Sequence, residues 1–489
     1  MKILLADPPW FTLQGVQAST VSLGLAQLAG VLEENGYDVM LWNGDIYGGD
    51  SRAAERVVQE NSAANEKSGH AGHPSFARFR SLLSEFSPDV TGISSMTADF
   101  FSAQILAGIV RETLPACKVV VGGVHATLVP AEVLADERID YVVCGEGEDT
   151  FIELLEAIKN GDGRPDVAGA GYRCNGSAVI NEPRPLIEDL DRLPLPSYKN
   201  LADRDMHHPA DLGGIISSRG CPYPCTYCAS NRLWTRVVRY RSTGHVIREV
   251  ESLRSIGVRL LRINDDAFTI KRARVEDFCR HMAGFSDMRW SCDTRVELID
   301  GRLLRDMRRS GCYQINVGIE TGSPRIQAMI KKNINFEAAG RVFKKARARG
   351  IRTTAYFMVG FPGETADEMK LTIKTAQRLK ADYPLFSTLT PYPGTEMWNN
   401  LIAGGKLKGR TDYSVFYHHS KAMNFSSLPS AEFEKITASI NSLTKRISFL
   451  RKLLFIVMHP LLFFKDREIL GMQLLGSVRP AGKCAGGFL

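Results

Sequence analysis

Residues 217–228 read SSRGCPYPCTYC and place Cys221, Cys225 and Cys228 within eight residues of each other. Thiolates bind iron–sulfur clusters, and three thiolates on one short loop can reach three irons of a [4Fe-4S] cube. The fourth iron would then lack a protein ligand and could bind a chelating small molecule. Two prolines prevent a regular helix inside the loop, and the glycine before the first cysteine permits a tight turn. The stretch therefore predicts an open iron–sulfur site.

The same cysteines allow two other interpretations. Cys225-x-x-Cys228 could be a thioredoxin-like redox pair, and three cysteines could be part of a zinc site. Zinc needs a fourth ligand at a regular spacing, and no second Cys pair or His pair follows at such a spacing. The other seven cysteines are scattered, at positions 117, 144, 174, 279, 292, 312 and 484. The cluster interpretation is therefore favoured.

Strand and helix patterns alternate around this loop. Helix candidates such as 244–256 and 336–349 separate six strand candidates, which are Gly214–Ser217, Leu260–Asn264, Trp290–Thr294, Gln314–Gly318, Thr353–Val359 and Leu385–Thr390. Six βα units over 213–400 predict a partial (β/α)6 barrel with functional groups at the carboxyl ends of its strands.

The region before the loop is also of the α/β class. Residues 1–160 alternate helix candidates with apolar strands, which are Lys2–Ala6, Tyr37–Trp42, Val90–Ser94, Val119–Val121 and Tyr141–Cys144. This pattern predicts a Rossmann-like, doubly wound parallel sheet. Residues 161–212 are rich in Pro, Gly and Asp and are interpreted as a linker that partly wraps the domains. Residues 401–489 are expected to be mainly helical.

Composition narrows the functional classes. The 489 residues carry a net charge of +7 and show no basic stripe interleaved with aromatics, so nucleic-acid binding is not favoured. The apolar run near the N-terminus covers only Ile3–Ala6, too short for a signal peptide. No stretch reaches the roughly 20 apolar residues that span a bilayer. We expect a cytoplasmic, reducing location, where cysteines serve metal or redox chemistry.

The spacing Cys-x3-Cys-x2-Cys, with Tyr227 before the last cysteine, resembles the radical S-adenosylmethionine (SAM) superfamily. The resemblance implies that the open iron binds the amino and carboxylate groups of SAM. Reductive cleavage of SAM then gives a 5′-deoxyadenosyl radical, and a one-electron donor such as flavodoxin or ferredoxin is needed. Tyr227 would sit near the adenine.

Later segments match the same family at the ends of barrel strands, and by resemblance they line the SAM and substrate cleft. Asp265, Asp266 or Glu320 could accept hydrogen bonds from the SAM amino group or ribose hydroxyls. Arg295 could pair with the SAM carboxylate. Each carboxylate could equally be an ordinary cap or a barrel salt bridge. The matching segments are Asn264-Asp265-Asp266-x-Phe268, Gly318–Ser323, Gly360–Thr365 and Pro391–Thr395.

The barrel and the upstream domain together resemble radical SAM enzymes with an N-terminal cobalamin-binding domain, over nearly all of residues 1–400. Small residues such as Gly122 and Gly123 would let a bulky cofactor approach the backbone. Hydroxyls of Ser94, Ser95 and Thr97 could bond its nucleotide tail. The matching pieces follow strands, where open α/β sheets bind ligands, and are Leu23-Gly24-Leu25, Ser94–Thr97, Gly122–Thr127 and Gly145-Glu146-Gly147-Glu148.

One element of other cobalamin proteins is absent. The string Asp-x-His-x-x-Gly, which supplies a lower axial histidine, does not occur in the N-terminal domain, and the nearest string, residues 205–210, lacks the Gly. Many members of the subfamily share this absence. His125 is expected to pack or cap within its loop. The alternative is a degenerate domain that binds no cobalamin.

Three functional classes follow. A cobalamin-dependent radical SAM enzyme could methylate an unactivated carbon of a biosynthetic intermediate, the commoner chemistry of the subfamily. It could instead cyclise or rearrange a lipid or tetrapyrrole, as the anaerobic Mg-protoporphyrin monomethyl ester cyclase does. The intact cysteines argue against a non-catalytic binding module. The sequence identifies neither the small-molecule substrate nor a catalytic acid or base.

The C-terminal segment 446–464 allows two interpretations. Basic residues precede an apolar run from Leu453 to Phe464, which is too short to span a bilayer, and Pro460 should end or kink the helix. The helix could pack on the open barrel. Alternatively, it could contact a membrane peripherally, with Leu453, Phe455, Phe463 and Phe464 in the acyl boundary.

Overall fold

The computed structural model describes residues 1–14, 20–46, 72–407, 412–416, 420, 423–460 and 462. These residues form two compact units. The first consists of residues 1–186 and 193–212, and the second of residues 187–192 and 213–466. Phe463 and Phe464, which the sequence placed in an acyl boundary, lie outside the described residues. The domain limits expected at 160, 212 and 400 stay predictions.

The first unit contains a seven-stranded sheet in the order β2-β1-β3-β4-β5-β6-β7. The first five strands are parallel, as predicted, and the last two add in antiparallel fashion. The strand order reverses between β1 and β3, which is where doubly wound sheets bind ligands. The strands are β1 Lys2–Asp7, β2 Asp38–Asn43, β3 Val90–Ser94, β4 Lys118–Gly122, β5 Tyr141–Val143, β6 Ala170–Cys174 and β7 Ser177–Ile180.

Among the residues that the structure describes, six helices accompany this sheet. The apolar stripe of the first helix predicts its buried face, and Leu25, Ala26 and Leu32 are indeed buried. The chain leaves this helix through Gly36, whose φ of 78° suits a glycine after a C-cap. The helices are α1 Leu23–Glu34, α2 Pro74–Phe86, α3 Phe100–Thr113, α4 Val124–Leu128, α5 Pro130–Leu134 and α6 Gly147–Lys159.

The segment 161–212 contains more structure than a linker. Its first part forms β6 and β7, which the sequence analysis missed because short exposed strands rich in turn residues lack a clear alternation. Its later part packs on α1: Gln27 donates a hydrogen bond to the Pro194 carbonyl at 2.7 Å. A Cβ at Gly30 would lie 2.3 Å from the Leu195 carbonyl oxygen, so only glycine permits this approach.

The second unit contains the predicted parallel six-stranded sheet, in the order β15-β14-β13-β12-β11-β8. A short antiparallel pair, β9 with β10, follows the first barrel strand. The strands are β8 Gly214–Ile215, β9 Ser218–Arg219, β10 Arg239–Tyr240, β11 Leu260–Ile263, β12 Arg289–Thr294, β13 Cys312–Glu320, β14 Arg352–Val359 and β15 Tyr383–Thr388.

Helices follow the strands of this sheet as the βα pattern predicts. Phe268, Phe278 and Trp290 form an edge-to-face aromatic cluster in the core. The helices are α7 Ser230–Trp234, α8 Thr243–Ser255, α9 Arg272–Met282, α10 Gly301–Arg309, α11 Pro324–Met329, α12 Phe336–Ala348, α13 Ala366–Leu379, α14 Glu396–Ala403 and α15 Ser430–Met458.

Helix α15 is the main C-terminal element and ends at Met458, two residues before Pro460. The prediction that this proline ends or kinks the helix is confirmed: the helix is interrupted at His459, because the residue before a proline is disfavoured in the α region. None of the described helices combines the length and apolar content needed to cross a bilayer.

Candidate active site

The cysteine loop begins directly after the first barrel strand. Gly220 has a φ of 105°, and a Cβ there would lie 1.9 Å from the carbonyl oxygen of Val237. Any other residue would therefore displace the chain where it enters the loop. Farther along, the Thr226 N–H donates to the Ile330 carbonyl at 3.2 Å, and the Thr226 carbonyl accepts from the Met397 N–H at 2.9 Å. The loop is thus held at its start and near its end.

Asp265 lies beneath the start of the loop and is 2% exposed. It accepts four hydrogen bonds, from the backbone N–H and the hydroxyl of both Ser217 and Ser218, at 2.6–3.0 Å. Each carboxylate oxygen of Asp265 therefore already accepts two hydrogen bonds from the chain itself, and this geometry supports a role in holding the loop. The contact with SAM predicted for Asp265 stays a prediction.

Asp266, the next residue, lies beside the cysteines. It accepts a hydrogen bond from the Ser230 hydroxyl at 3.1 Å and one from the Gly220 N–H, while burial raises its pKa. Cys221 and Cys228 are close enough for the Asp266 charge to raise the pKa of both thiols. The structure therefore brings the predicted carboxylate to the predicted cluster loop.

Arg295 extends across the loop from the end of the third barrel strand. Its guanidinium stacks on the Tyr223 ring at 3.9 Å, and Nη1 lies 3.9 Å from Cys225 Sγ. Nη2 donates to the Lys332 carbonyl at 3.1 Å. A fixed cation at the cysteines can receive an anionic ligand group, which is the role predicted for Arg295 toward the SAM carboxylate.

Glu320 ends the fourth barrel strand in an unusual conformation. Its φ is 68°, in the left-handed region that non-glycine residues adopt at a cost, and the register shifts there between Gly318 and Glu320. Its Oε1 accepts hydrogen bonds from Tyr227 Oη at 3.0 Å and from Lys332 Nζ at 2.5 Å. A Cβ at Gly318 would lie 2.2 Å from Glu320 Oε1 and 2.5 Å from Lys332 Nζ. The ion pair therefore packs directly against the backbone of Gly318, where a side chain would displace it.

Lys332 is the main residue of this site that the sequence analysis missed. Its ammonium also donates to Tyr227 Oη at 3.2 Å, so three side chains form one buried group. Burial and the Glu320 charge hold the pKa of Tyr227 well above its usual value. The only sequence signal was a pair of lysines shortly after the Gly318–Ser323 motif. Their spacing did not indicate that one of them contacts Glu320 within that motif.

The three thiols of the loop are free, as binding to a cluster requires. The nine described cysteines are all free, and no group of three or more His, Cys, Asp or Glu side chains among the described residues has the geometry of a site for a metal ion. A cube instead spreads its ligands over different irons. Burial raises the pKa of Cys221 and raises that of Cys228 to about 12, so bound iron would be needed to stabilise the thiolates.

A free acceptor beside the loop fits SAM. Asn231 donates from its amide to the Cys225 carbonyl at 3.1 Å, while its buried Oδ1 has no hydrogen-bond partner among the described residues. A buried acceptor without a partner is destabilising unless a ligand supplies a donor. Donors of this kind are present on the amino and ribose groups of SAM.

The carboxyl edge of the first sheet brings together the predicted Ser and Gly loops. The Ser95 hydroxyl donates to Asp99 at 2.9 Å, and the Ser95 N–H donates to the Gly122 carbonyl at 2.9 Å. Gly123 has a φ of 93°, and a Cβ there would lie 2.8 Å from the Ser95 carbonyl oxygen and 3.0 Å from Ser94 Oγ. The glycine thus lets two loops of the edge meet, and contacts of this set with cobalamin stay predictions.

Two exposed glycines lie at the same edge. Gly145, which has a φ of 76°, and Gly24, in the first turn of α1, are exposed, and a Cβ at either would meet nothing within 4 Å. Glu146 is buried at the N-cap of α6. Side chains therefore leave open space at both glycines, and the contacts with cobalamin predicted for Gly145 and Glu146 stay predictions.

The structure provides no axial histidine at this edge among the described residues. His125 is buried, its ring centroid lies 4.4 Å from that of Phe100, and burial lowers its pKa to about 4. Its Nδ1 lies 3.3 Å from Thr97 Oγ1, which agrees with the packing role expected for it. His207 lies 3.4 Å from Asn43 Nδ2 through one ring nitrogen and 3.2 Å from the Asp203 carbonyl through the other.

Three carboxyl groups at this edge were also missed by the sequence analysis. Asp7 ends β1, Asp45 follows β2 and Asp99 follows β3. Burial, with repulsion from Asp45, raises the pKa of Asp7 to about 8, and burial raises that of Asp45 to about 6 although the Trp10 and Thr12 N–H groups donate to it. The pKa of Asp99 is raised well above its usual value. Their positions after adjacent strands were a signal that the sequence contained.

Comparison with known proteins assigns both units. The family model "Radical SAM superfamily" matches residues 215–376, and "B12 binding domain" matches residues 11–155. Chains of the first family use a [4Fe-4S] cluster with SAM, and the second domain carries cobalamin, so these are the cofactors of this chain.

Three relatives illustrate the assignment. An uncharacterized methyltransferase of Pyrococcus horikoshii is 33% identical over 413 residues, covering 83% of this chain and 84% of the relative. The anaerobic magnesium-protoporphyrin IX monomethyl ester cyclase of Rubrivivax gelatinosus is 29% identical, and the match covers 66% of this chain and 60% of the relative. A solved structure of the radical SAM methyltransferase TsrM of Kitasatospora setae, with tryptophan and a SAM analogue bound, superposes on this chain with a TM-score of 0.67. The match covers 89% of this chain and 82% of TsrM at 19% identity, so the two share the fold. The chain therefore belongs to the radical SAM enzymes that carry an N-terminal B12-binding domain.

Proposed function

We propose that this enzyme transfers a methyl group to an unactivated carbon of a biosynthetic intermediate. The observation that carries the proposal is the single loop that holds Cys221, Cys225 and Cys228 beside a fixed cation and a buried ion pair, in a chain with a B12-binding domain. The relative with the higher identity and the larger coverage is called a methyltransferase. The sequence identity and the coverage are both lower for the cyclase relative.

Within this proposal the loop cysteines hold the cluster, which supplies the electron that cleaves SAM. Arg295 pairs with the carboxylate of SAM, because its guanidinium is fixed against Tyr223 and Cys225. Asp266 and Glu320 are the candidates for the amino and ribose groups, and Tyr227 contacts the adenine. Asp265 keeps the loop in place from below.

The N-terminal edge holds cobalamin through its small and hydroxyl residues, and cobalamin supplies the methyl group. These residues are Ser94, Ser95, Thr97, Gly122, Gly123, Gly145 and Glu146. Because His125 and His207 are engaged within the chain, we expect cobalamin to bind without a histidine ligand. The optical spectrum of the reconstituted protein should be that of base-off cobalamin, and a histidine-ligated spectrum would contradict this geometry.

The partners follow from the same chemistry. A small-molecule substrate and a one-electron donor such as flavodoxin or ferredoxin are required, and we place the enzyme in the cytoplasm, where such donors occur. The peripheral membrane contact predicted for the C-terminal helix also belongs to the proposal. Phe455 cannot take part in it as expected, because this side chain is 5% exposed and packs on the barrel.

The alternative function is cyclisation or rearrangement of a lipid or tetrapyrrole, and the cyclase relative favours it. Product mass separates the two reactions. With SAM that carries a deuterated methyl group, methylation adds the labelled methyl to the product, whereas cyclisation gives an unlabelled product that has lost hydrogens. Candidate substrates come from biosynthetic genes adjacent to this one.

A further inference from the structure

The C-terminal half of α15 uses one face to pack on the barrel, and this face is partly polar. Phe455 is buried beneath the guanidinium of Arg352, 4.9 Å from its ring centroid. The Lys452 ammonium lies 5.9 Å from the Tyr383 ring, and His459 Nε2 lies 2.8 Å from the Arg347 carbonyl oxygen. This face is therefore already occupied by the protein itself.

The opposite face carries an exposed apolar stripe. Its members recur at intervals of three and four residues, so they lie along one side of the helix. Their exposed fractions range from 39% for Leu454 to 76% for Val457. The stripe consists of Phe449, Leu450, Leu453, Leu454, Val457 and Met458.

The stripe differs from other exposed apolar residues of the chain. Ile256, directly after α8, and Leu371, on α13, are isolated at 43% and 40% exposure, as is normal for a protein surface. Six large apolar side chains in a row form a contiguous patch, and such patches mark interaction surfaces. The stripe therefore needs a partner that offers an apolar environment.

The size of the stripe and the positive charge of the chain indicate which kind of partner the stripe binds. A stable protein–protein interface involves about 20–30 residues on each side, and the stripe alone offers six. Partition into lipid has no such threshold, since it scales with the apolar area buried. Exposed Arg446 lies one turn before the stripe, and the chain carries a net charge of +7. This positive charge suits anionic headgroups.

The same helix also forms part of a cavity. Phe433, Thr437 and Asn441, in its N-terminal half, line a cavity of about 230 Å³ together with Val359 and Thr388. The last two residues end β14 and β15, so the cavity opens at the carboxyl edge of the sheet, where barrel enzymes bind substrates. One helix thus links an apolar surface to the substrate edge of the barrel.

We propose that the stripe of α15 docks this enzyme onto an anionic phospholipid bilayer. Docking places the outer face of α15 against the membrane, while the cavity lies on the inner side of the same helix, between it and the barrel strands. The inference concerns a binding surface and does not depend on which reaction the site performs. The side chains that enter the acyl boundary are the six of the stripe. Of the set that the sequence suggested, Leu453 belongs to the stripe, Phe455 is buried, and Phe463 and Phe464 lie outside the described residues.

Vesicle flotation of the full-length, anaerobically reconstituted protein tests the proposal. We compare phosphatidylcholine vesicles with vesicles that also contain phosphatidylglycerol, and the wild type with the double variant Leu450→Glu/Val457→Glu. The wild type should float with the anionic vesicles, and the variant should lose at least about tenfold of that binding because two charges enter the acyl boundary. The matched control, Ile256→Glu/Leu371→Glu, adds the same charge at isolated exposed positions and should float like the wild type.

Two further measurements keep the outcomes distinct. Formation of 5′-deoxyadenosine without vesicles should be equal in both double variants, and its loss would count against the active site and not against docking. Size-exclusion chromatography detects self-association. A wild type that does not float overturns the proposal, and so does a dimer that only Leu450→Glu/Val457→Glu dissociates, because the stripe would then bind a second copy.

Discussion

The two parallel sheets present opposite kinds of polar chemistry at their carboxyl edges. At the barrel edge, Glu320 is paired with Lys332, and Arg295 lies on the cysteine loop. At the N-terminal edge, no ion pair joins Asp7, Asp45 or Asp99 to a basic side chain within the part of the chain that the structure describes. Burial instead raises the pKa values of Asp7 and Asp99 enough to favour their neutral forms, while backbone N–H groups stabilise the Asp45 carboxylate.

This difference is what we expect from the ligands proposed for the two edges. SAM carries a carboxylate, an ammonium and a sulfonium, and such a ligand needs fixed charges of both signs around it. The amide side chains of a corrin are neutral, and neutral carboxyl and hydroxyl groups suit them. Two sheets with similar strand connections thus acquired different electrostatics through the residues that follow each strand.

The largest expected effect is at the barrel edge. Replacing Cys221, Cys225 and Cys228 together with Ala should abolish both the iron content and 5′-deoxyadenosine formation, because no thiolate would remain on the loop. The measurements are iron and sulfide analysis and SAM cleavage with dithionite as reductant. Cys174→Ala, at a cysteine outside the barrel, should retain about four irons per chain. A triple variant that still cleaves SAM would exclude the cluster assignment.

The second effect concerns the buried ion pair. Lys332→Met leaves the Glu320 carboxylate buried without its cation, which should destabilise the barrel by about 3–5 kcal/mol. Denaturant unfolding measures this change. Adding Glu320→Gln to the same chain removes the stranded charge and should restore most of the stability, although SAM cleavage should stay low. If the single variant is as stable as the wild type, the pair is not buried as described.

The third effect concerns the glycine under this pair. Gly318→Ala adds a methyl group where Glu320 and Lys332 lie, and overpacking of this kind costs about 1–3 kcal/mol. SAM cleavage should fall at least about tenfold, because the same shift moves Glu320. Gly340→Ala in α12 is the control, since its Cβ meets only Leu379 at 3.8 Å, and the change should be neutral or stabilising. Equal behaviour of the two variants would contradict the predicted crowding.

The smallest effect is a pH dependence at the N-terminal edge. The folded protein keeps Asp7 protonated up to about pH 8, whereas an unfolded aspartate loses its proton near pH 4, so stability is lost as the pH rises between these values. His125 opposes this loss only below its ordinary pKa of 6.5. From pH 6.5 to 8 the first unit should therefore lose about 2 kcal/mol, at roughly 1.4 kcal/mol per pH unit.

Asp7→Asn should reduce this slope, because the amide stays neutral at every pH, and the raised pKa of Asp99 accounts for the slope that remains. Thermal unfolding of the two proteins at pH 6.5 and pH 8 provides the comparison. A wild type that becomes more stable over this interval would show that Asp7 is ionised in the folded state.

The sequence predicted the β–α framework closely, because period and length separate buried parallel strands from helices. The strand predicted at Val90–Ser94 is identical to β3, and the helix predicted at 336–349 ends one residue later than α12. The antiparallel strands β6 and β7 could not be predicted in this way, because they are short and partly exposed. The motifs also located the loop cysteines, Asp266 and Arg295. The sequence could not place Lys332, or Asp7, Asp45 and Asp99 at the N-terminal edge. Their contacts form between segments that are far apart in the chain.

The two backbone hydrogen bonds of Thr226 bear on how the enzyme matures. One partner, Ile330, and the other, Met397, lie far downstream in the chain. During synthesis the cysteine loop leaves the ribosome well before either partner exists, and contacts of such high sequence separation form late in folding. The loop can therefore take its final shape only once the sixth barrel unit has been made, and delivery of iron and sulfide to the thiols is expected to be a post-translational event.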